Sequence, residues 1–155
     1  MRTWNLKMVG GIAGLVVSLA LSPPAQGQSP VKDDANCNRD TVDHMGPELA
    51  RESRAFLVQL KVAVRADDKA KVASMVRYPL KFLVGQESEA IADRSNFLRD
   101  YAKIITPPVK KSLEEQSAEC LFGNWQGFMI GDGEIWFTKL PKGTFRIITV
   151  NATPQ

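Results

Sequence analysis

Residues 127–151 read GFMIGDGEIWFTKLPKGTFRIITVN, and this stretch decides the fold. It contains three runs rich in β-branched and aromatic residues: Phe128–Ile130, Glu134–Leu140 and Phe145–Val150. Asp132 and Gly133 separate the first two runs, which is the signal of a two-residue type I′ hairpin whose central residues both need positive φ. Pro141–Thr144 supply the next turn. The stretch therefore predicts an antiparallel meander of three strands.

Helical periodicity precedes this meander. Apolar residues recur at helical spacing from Pro47 to about Ala66, which predicts a long amphipathic helix with proline in its first turn, where proline is tolerated. Three shorter helices are predicted to follow: one capped by Asp67 or Asp68, one through Phe97–Ile105 with Asp93 or Ser95 as its cap, and one from Thr106 and Pro107.

An additional strand lies between these helices. Leu80, Phe82 and Val84 alternate with Lys81 and Leu83, and this period of two is typical of a half-buried strand. A polar turn is predicted after this strand, over Gly85–Glu89. Further along the chain, the β-rich segment begins at Leu121 and Phe122. The order of elements predicts an α+β fold, in which N-terminal helices gather on one face of a curved antiparallel sheet. The predicted organisation is a polar arm at 28–46, a single domain at 47–151 and a tail at 152–155.

The first 27 residues have the pattern of a cleavable signal peptide. Arg2 and Lys7 precede an apolar run over Met8–Leu21, and small residues at Ala25 and Gly27 predict cleavage before Gln28. The run is shorter than the roughly 20 residues that span a bilayer, so we expect no stable membrane anchor after cleavage. A periplasmic or secreted location is therefore predicted.

Charge argues against nucleic acid as a partner. Removing residues 1–27 takes away Arg2 and Lys7 and no acid, so the formal net charge falls from +3 to +1. A nearly neutral protein lacks the basic surface that follows a phosphate backbone. We therefore expect no nucleic-acid partner.

Two cysteines, Cys37 and Cys120, lie in the exported part of the chain. Export to an oxidising compartment makes a disulfide the expected state. A reactive thiol or a metal site is the alternative, but the chain has no CxxC spacing and a single histidine, His44, in the polar arm. We expect neither a metal nor another cofactor.

Acid/base chemistry is the one catalytic hypothesis that the sequence leaves open. Glu134 with Tyr78 or Tyr101 could supply a carboxylate and a hydrogen-bond donor, and strand alternation would place Glu134 on the face of Trp136. Alternatively, Glu134 ends a hairpin in solvent and both tyrosines fill the core.

Aromatic and apolar residues of the β-rich end could line a ligand cavity. The candidates are Tyr101, Trp125, Met129 and Trp136, which would suit a small apolar ligand and could equally be plain core. Alternation places Phe145 and Ile147 on one face of the last strand, and Ile148 and Val150 on the other. A sheet with two apolar faces needs cover for the second one, from a pocket, the helices or a partner, and we expect a homodimer through it.

The first helix also carries a basic stripe. It consists of Arg51, Arg54, Lys61 and Arg65. Such a stripe is usually a solvated face, and the functional alternative is contact with an acidic partner in the cell envelope.

The segments that carry a family resemblance are spread from about Glu48 to Asn151. They are Asp67-Asp68-Lys69, Tyr78-Pro79-Leu80, Phe97-Leu98 with Tyr101, the run Gly127–Phe137, and Ile147–Asn151. This pattern resembles small exported bacterial members of the nuclear transport factor 2-like superfamily. The resemblance implies a cone-shaped, cystatin-like fold in which the sheet wraps around the first helix.

The resemblance does not choose a reaction, because that superfamily hosts isomerases, cyclases, dehydratases and binding modules alike. No catalytic residue can be carried over from it. We therefore expect a non-catalytic binding module. The alternatives are a small isomerase- or dehydratase-type enzyme that uses Glu134 and a tyrosine, and an inhibitor or immunity protein that binds another envelope protein.

Overall fold

A computed structural model describes Cys37 and residues 42–153 of the chain. The predicted signal peptide, its cleavage site before Gln28 and most of the polar arm lie outside the described residues, so they stay predictions. Across residues 42–153, no helix is both long enough and apolar enough to cross a membrane.

Runs of helices and runs of strands follow one another in an α+β arrangement, as the sequence predicts. The helices are α1 (Pro47–Arg65), α2 (Lys69–Ser74), α3 (Arg94–Arg99), α4 (Tyr101–Ile104) and α5 (Pro107–Glu115), with a 3-10 turn over Val42–Met45. The strands are β1 (Val76–Val84), β2 (Glu87–Ile91), β3 (Phe122–Asn124), β4 (Gly127–Ile130), β5 (Ile135–Lys139) and β6 (Phe145–Asn151).

The six strands form one curved, unclosed sheet in the order β2-β1-β6-β5-β4-β3. The last four strands pair antiparallel with their neighbours in sequence, which confirms the predicted meander. The sheet is mixed rather than purely antiparallel, because β1 pairs with β6 in parallel. This pairing arises because the helices α3 to α5 carry the chain to the far edge, and the meander then returns until β6 runs alongside β1.

The long helix α1 packs on one face of the sheet, which we call the inner face. The ring of Phe56 lies 4.7 Å from that of Phe137 on β5 and 5.8 Å from that of Phe145 on β6. Phe128 of β4 stacks on Phe137 at 5.1 Å and completes the cluster. Each of these side chains is buried, and burying a phenylalanine contributes about 1.5–3 kcal/mol. The aromatic cluster therefore anchors α1 to the sheet.

The third predicted helix is broken in two. Asp93 caps α3 through its Oδ1, which accepts a hydrogen bond from the backbone N–H of Asn96 at 2.9 Å. At Asp100 the backbone leaves helical geometry, and α4 begins at the next residue. Phe97 and Tyr101 are both buried as predicted, with their rings edge to face at 5.8 Å. The apolar spacing thus predicted the buried face correctly but not the bend.

Strand β2 is absent from the sequence prediction, which assigned Gly85–Glu89 to a polar turn. The turn holds only Gly85 and Gln86, and Glu87–Ile91 pairs antiparallel with β1. Every residue of β2 except Ile91 is exposed. An edge strand of this kind carries no alternation of apolar and polar residues, so its sequence resembles a loop.

A loop after α5 is held in place by side chains from α1. Arg54 donates from Nε to the carbonyl of Ala118 at 3.0 Å. Lys61 donates to the carbonyls of Glu114 and Gln116 at 3.0 and 2.6 Å, and so satisfies the last turn of α5. These bonds hold the loop against the long helix.

The predicted disulfide between Cys37 and Cys120 is confirmed, and it joins residues 83 apart. The side-chain amide of Gln116 donates to the carbonyl of Cys120 at 3.1 Å and accepts from the backbone N–H of Gly131 at 2.9 Å. The disulfide therefore ties the arm to a loop that is itself bonded to the turn after β4.

Described residues on either side of 47–151 also pack with the domain. Val42 is buried, and its backbone N–H donates to the carbonyl of Leu121 at 2.8 Å. At the other end Ala152 is buried and donates to the carbonyl of Leu83 at 2.9 Å. The last residues of the predicted arm and the first of the predicted tail therefore pack with the domain.

Removing the disulfide should lower stability without changing the fold. We expect Cys37→Ser to lower the free energy of unfolding by about 2–5 kcal/mol, because the unfolded chain loses the constraint of a long closed loop. Urea denaturation of the variant and of the oxidised protein measures the difference. The Cys37→Ser/Cys120→Ser double variant is the control and should match the single variant. Equal unfolding midpoints for the oxidised protein and both variants would contradict the prediction.

Candidate functional site

The face of the sheet opposite α1, which we call the open face, carries a row of apolar side chains. Successive register partners in β3, β4, β5 and β6 are Phe122, Met129, Trp136 and Thr149. All four are half-buried. The rings of Phe122 and Trp136 lie edge to face, with centroids 6.3 Å apart. Cross-strand neighbours on one face contact one another, so this row forms a continuous surface.

A shallow depression of about 280 Å³ lies beside this row. It is lined by Lys81, Leu83, Gln126, Trp136, Ile148 and Thr149. Among the described residues that line it, Lys81 alone is charged, so the depression is mainly apolar.

A β-bulge in β6 shapes the open face. Trp136 opposes Thr149 while the next residue of β5, Phe137, opposes Ile147, so Ile148 is the extra residue of β6. Ile148 and Thr149 are consequently both half-exposed, whereas Val150 is fully buried. The prediction that Val150 shares the face of Ile148 is wrong, because the bulge resets the alternation and returns Val150 to the inner face.

The four predicted pocket residues lie in three different places. Met129 and Trp136 are neighbours on the open face. Tyr101 is only 3% exposed and belongs to the core under the helices. Trp125, at the turn between β3 and β4, is 89% exposed. The structure thus brings Met129 and Trp136 together and does not join Tyr101 or Trp125 to them.

Phe122 and Leu83 lie on the open face but were not among the site residues predicted from the sequence. Both residues are half-buried there, Phe122 beside Met129 and Leu83 beside Ile148 in the depression. The signal for Leu83 was present, because it alternates with the buried residues Leu80 and Phe82 in β1. Phe122 offered a weaker signal, since β3 has only three residues.

The turn between β4 and β5 is longer than the predicted hairpin. Ile130 pairs with Ile135, so four residues, Gly131–Glu134, make the connection. Gly131 and Gly133 have positive φ and Asp132 does not, so the predicted type I′ turn at Asp132 and Gly133 is wrong. A side chain at Gly131 would also collide with the carboxylate of Glu134, which explains the glycine.

Glu134 belongs to this turn and not to a strand face shared with Trp136. Its side chain is only 7% exposed, so it is not a solvated hairpin end. The carboxylate accepts hydrogen bonds from Ser112 Oγ on α5 and from the backbone N–H of Asp132 at 2.6 Å. Both contacts stay within the fold, and they fasten the turn to α5.

The two tyrosines, Tyr78 on β1 and Tyr101 on α4, both pack against the ring of Phe97. The hydroxyl of Tyr78 donates to the carbonyl of Ala73 at 3.0 Å, and burial raises the pKa of Tyr78 to about 12. Burial also raises the pKa of Tyr101, whose hydroxyl has no hydrogen-bond partner among the described residues. Both phenols are therefore protonated at neutral pH, and neither bonds to Glu134 in the described part of the chain.

Three residues of the basic stripe on α1 are engaged inside the chain. Arg54 pairs with Asp43, a hydrogen bond that raises the pKa of its guanidinium, and Arg65 forms a bidentate pair with Glu114. Lys61 holds the end of α5, and burial lowers its pKa. Most of the stripe thus secures the loop after α5 and is not a free surface for an acidic partner.

Cys37 and residues 42–153 contain no group of three or more His, Cys, Asp or Glu residues that could hold a metal ion. No family model, curated protein or solved structure matches this chain. The geometry of the molecule therefore carries the functional argument.

A structural role for Glu134 predicts a loss of stability when the carboxylate is removed. We expect Glu134→Ala to lower the free energy of unfolding by about 1–3 kcal/mol, because the backbone N–H of Asp132 and the hydroxyl of Ser112 lose this acceptor. Ser112→Ala, which removes one of the two bonds, should cost about 1 kcal/mol. Urea denaturation measures both. A Glu134→Ala variant as stable as the native protein would show that the carboxylate does not hold this turn.

Proposed function

We propose that this protein is an exported, non-catalytic binding module that works through the open face of its sheet. The observation that carries the proposal is a contiguous set of half-exposed apolar side chains on neighbouring strands: Leu83, Phe122, Met129, Trp136 and Ile148. Isolated exposed apolar residues are normal, whereas a contiguous patch marks an interaction surface.

The occupant that we propose is a second copy of the chain. Two identical sheets can meet face to face about a twofold axis, so that each copy covers the apolar row of the other. Lys81 is the only charged residue among the described ones that line the depression, and its long side chain can keep its ammonium group in solvent at the edge. Such an interface would bury aromatic and aliphatic groups with little cost from desolvating charge.

Export is supported by the disulfide between Cys37 and Cys120, which is compatible with an oxidising compartment. We therefore propose that the protein acts in the periplasm or outside the cell after removal of residues 1–27. We also propose membership of the nuclear transport factor 2-like superfamily, with which a curved sheet packed on a long first helix is compatible.

A catalytic alternative based on Glu134 has less support. The carboxylate accepts hydrogen bonds from Ser112 and Asp132, and the hydroxyl of Tyr78 donates to a backbone carbonyl. An acid/base pair needs its two groups to meet at one substrate. An inhibitor or immunity protein that binds another envelope protein would use the same open face, and the experiment below separates it from the homodimer.

The homodimer can be tested by placing a charge on the open face. We expect Ile148→Asp in the protein without residues 1–27 to weaken dimerisation at least about a hundredfold, because an unpaired carboxylate would be buried in each half of the interface. Sedimentation velocity over a concentration series measures this change, and circular dichroism confirms folding. Val62→Asp is the matched control, because Val62 is exposed on α1, away from the open face.

Two outcomes would overturn the proposal. A native protein that is monomeric at every concentration excludes the second copy and favours a different partner on this face. An Ile148→Asp variant that fails to fold, beside a folded Val62→Asp control, shows that Ile148 lines an internal cavity rather than an interface.

A further inference from the structure

A groove on the helical side of the molecule offers a second binding site, separate from the open face. It consists of two hollows, of about 330 and about 370 Å³, that share Gln59 of α1 and Lys71 of α2. Each volume lies in the range of small-molecule sites, about 300–1,000 Å³. One hollow follows the second half of α1, and the other reaches Arg146 at the start of β6.

The hollow along α1 is apolar. Val58 and Val62 lie one turn apart on α1, are 50% and 58% exposed, and line this hollow with Ala66. Large apolar side chains this exposed are few among the described residues, and two of them fall on this one helix face. The hollow therefore presents a strip of hydrocarbon that a ligand could cover.

Two basic side chains add positive charge to the groove: Lys71, which lines both hollows, and Arg146, which lines the second one. The side chain of Lys71 has no partner among the described residues, because only its backbone N–H is bonded. Arg146 donates one N–H to the carbonyl of Phe145 at 2.7 Å, which leaves other donors of its guanidinium available. Ser74 and Thr144 also line this hollow. The groove thus offers two cations and two hydroxyls at the end of the apolar strip.

The two carboxylates along the groove are already occupied. Asp68 caps α2, with its Oδ1 accepting from the backbone N–H of Lys71 at 2.8 Å. Glu52 forms an ion pair with Lys139. Besides the neutral amide of Gln59, the groups that remain open for a ligand are therefore the cationic donors of Lys71 and Arg146, and they suit an anion.

An alkyl chain fits the apolar strip better than a peptide does. Val58, Val62 and Ala66 have no side-chain donor or acceptor, so the amides of a peptide lying there would stay unpaired at a cost in free energy. A hydrocarbon chain carries no such groups. We propose that the groove binds an anionic amphiphile of the fatty-acid class, with its alkyl chain on α1 and its carboxylate between Lys71 and Arg146.

Decanoate, used below its micelle-forming concentration, is the probe for this site. We expect isothermal titration of the oxidised protein without residues 1–27 to show decanoate binding about tenfold tighter than decanol, because only the acid meets Lys71 and Arg146. In Lys71→Gln that difference should shrink, because Arg146 is then the only cation of the two that meets the carboxylate. Val62→Asp should weaken decanoate binding about tenfold or more, through lost apolar contact and like-charge repulsion.

Matched variants separate this groove from the open face. Lys111→Gln, on the exposed side of α5, is the control for loss of a lysine, and Ile148→Asp is the control for an added carboxylate. Both should bind decanoate like the native protein. Amide chemical shifts should move at Val58, Val62 and Lys71 on titration, which locates the ligand even if a variant is unstable.

Several results would overturn the inference. These are no decanoate binding, equal affinities for decanoate and decanol, loss of binding in Ile148→Asp but not in Val62→Asp, or shift changes confined to the open face. Tighter binding of a short hydrophobic peptide with a free carboxyl terminus, abolished by Val62→Asp, would assign the groove to peptides instead. None of these outcomes depends on whether the protein dimerises through its open face.

Discussion

The contact between Phe56 of α1 and Phe137 of β5 decides which face of the sheet is inside the molecule. With Phe128 and Phe145 it forms an aromatic cluster that anchors the long helix in the curve of the sheet. The bulge in β6 serves the same packing, because it keeps Val150 inside after Ile147 and lets Ile148 turn outward. A sheet one layer thick can give only one of its faces to this helix. The open face is therefore a direct consequence of how the core is built.

The polar groups of the molecule mostly secure its own architecture. Glu134 fastens the turn after β4 to α5, Lys61 completes the end of α5, and Arg54 holds the loop that carries Cys120. Groups with such partners are poor candidates for chemistry on a substrate, since using them would leave buried donors unpaired. What remains accessible is apolar area on the open face, and apolar area beside free cations in the groove along α1. Both kinds of surface suit binding, and this is why we propose a binding module.

The sequence predicted the parts of the fold that depend on local signals. Pro47, Asp68 and Thr106 marked helix starts correctly, and the apolar runs of the meander became strands. Errors arose where tertiary contacts override a local pattern. A hydrogen-bonded carboxylate lengthened the turn at Gly131, a bulge reversed the orientation of Val150, and an exposed edge strand at Glu87–Ile91 left no periodic signal. Of the candidate site, Met129 and Trp136 could be predicted from composition. The groove could not, because it depends on how α2 packs beside α1.

Trp136 gives the most direct test of the claim that the open face is a binding surface. The chain has three tryptophans, one of which is Trp4, so Trp125→Phe leaves Trp136 as the only indole of the protein without residues 1–27. Acrylamide quenching of its fluorescence, measured over a dilution series, reports how accessible the open face is. We expect weak quenching at high protein concentration and stronger quenching on dilution, as two sheets separate. Quenching that is equally strong at every concentration, in a folded protein, would contradict that claim.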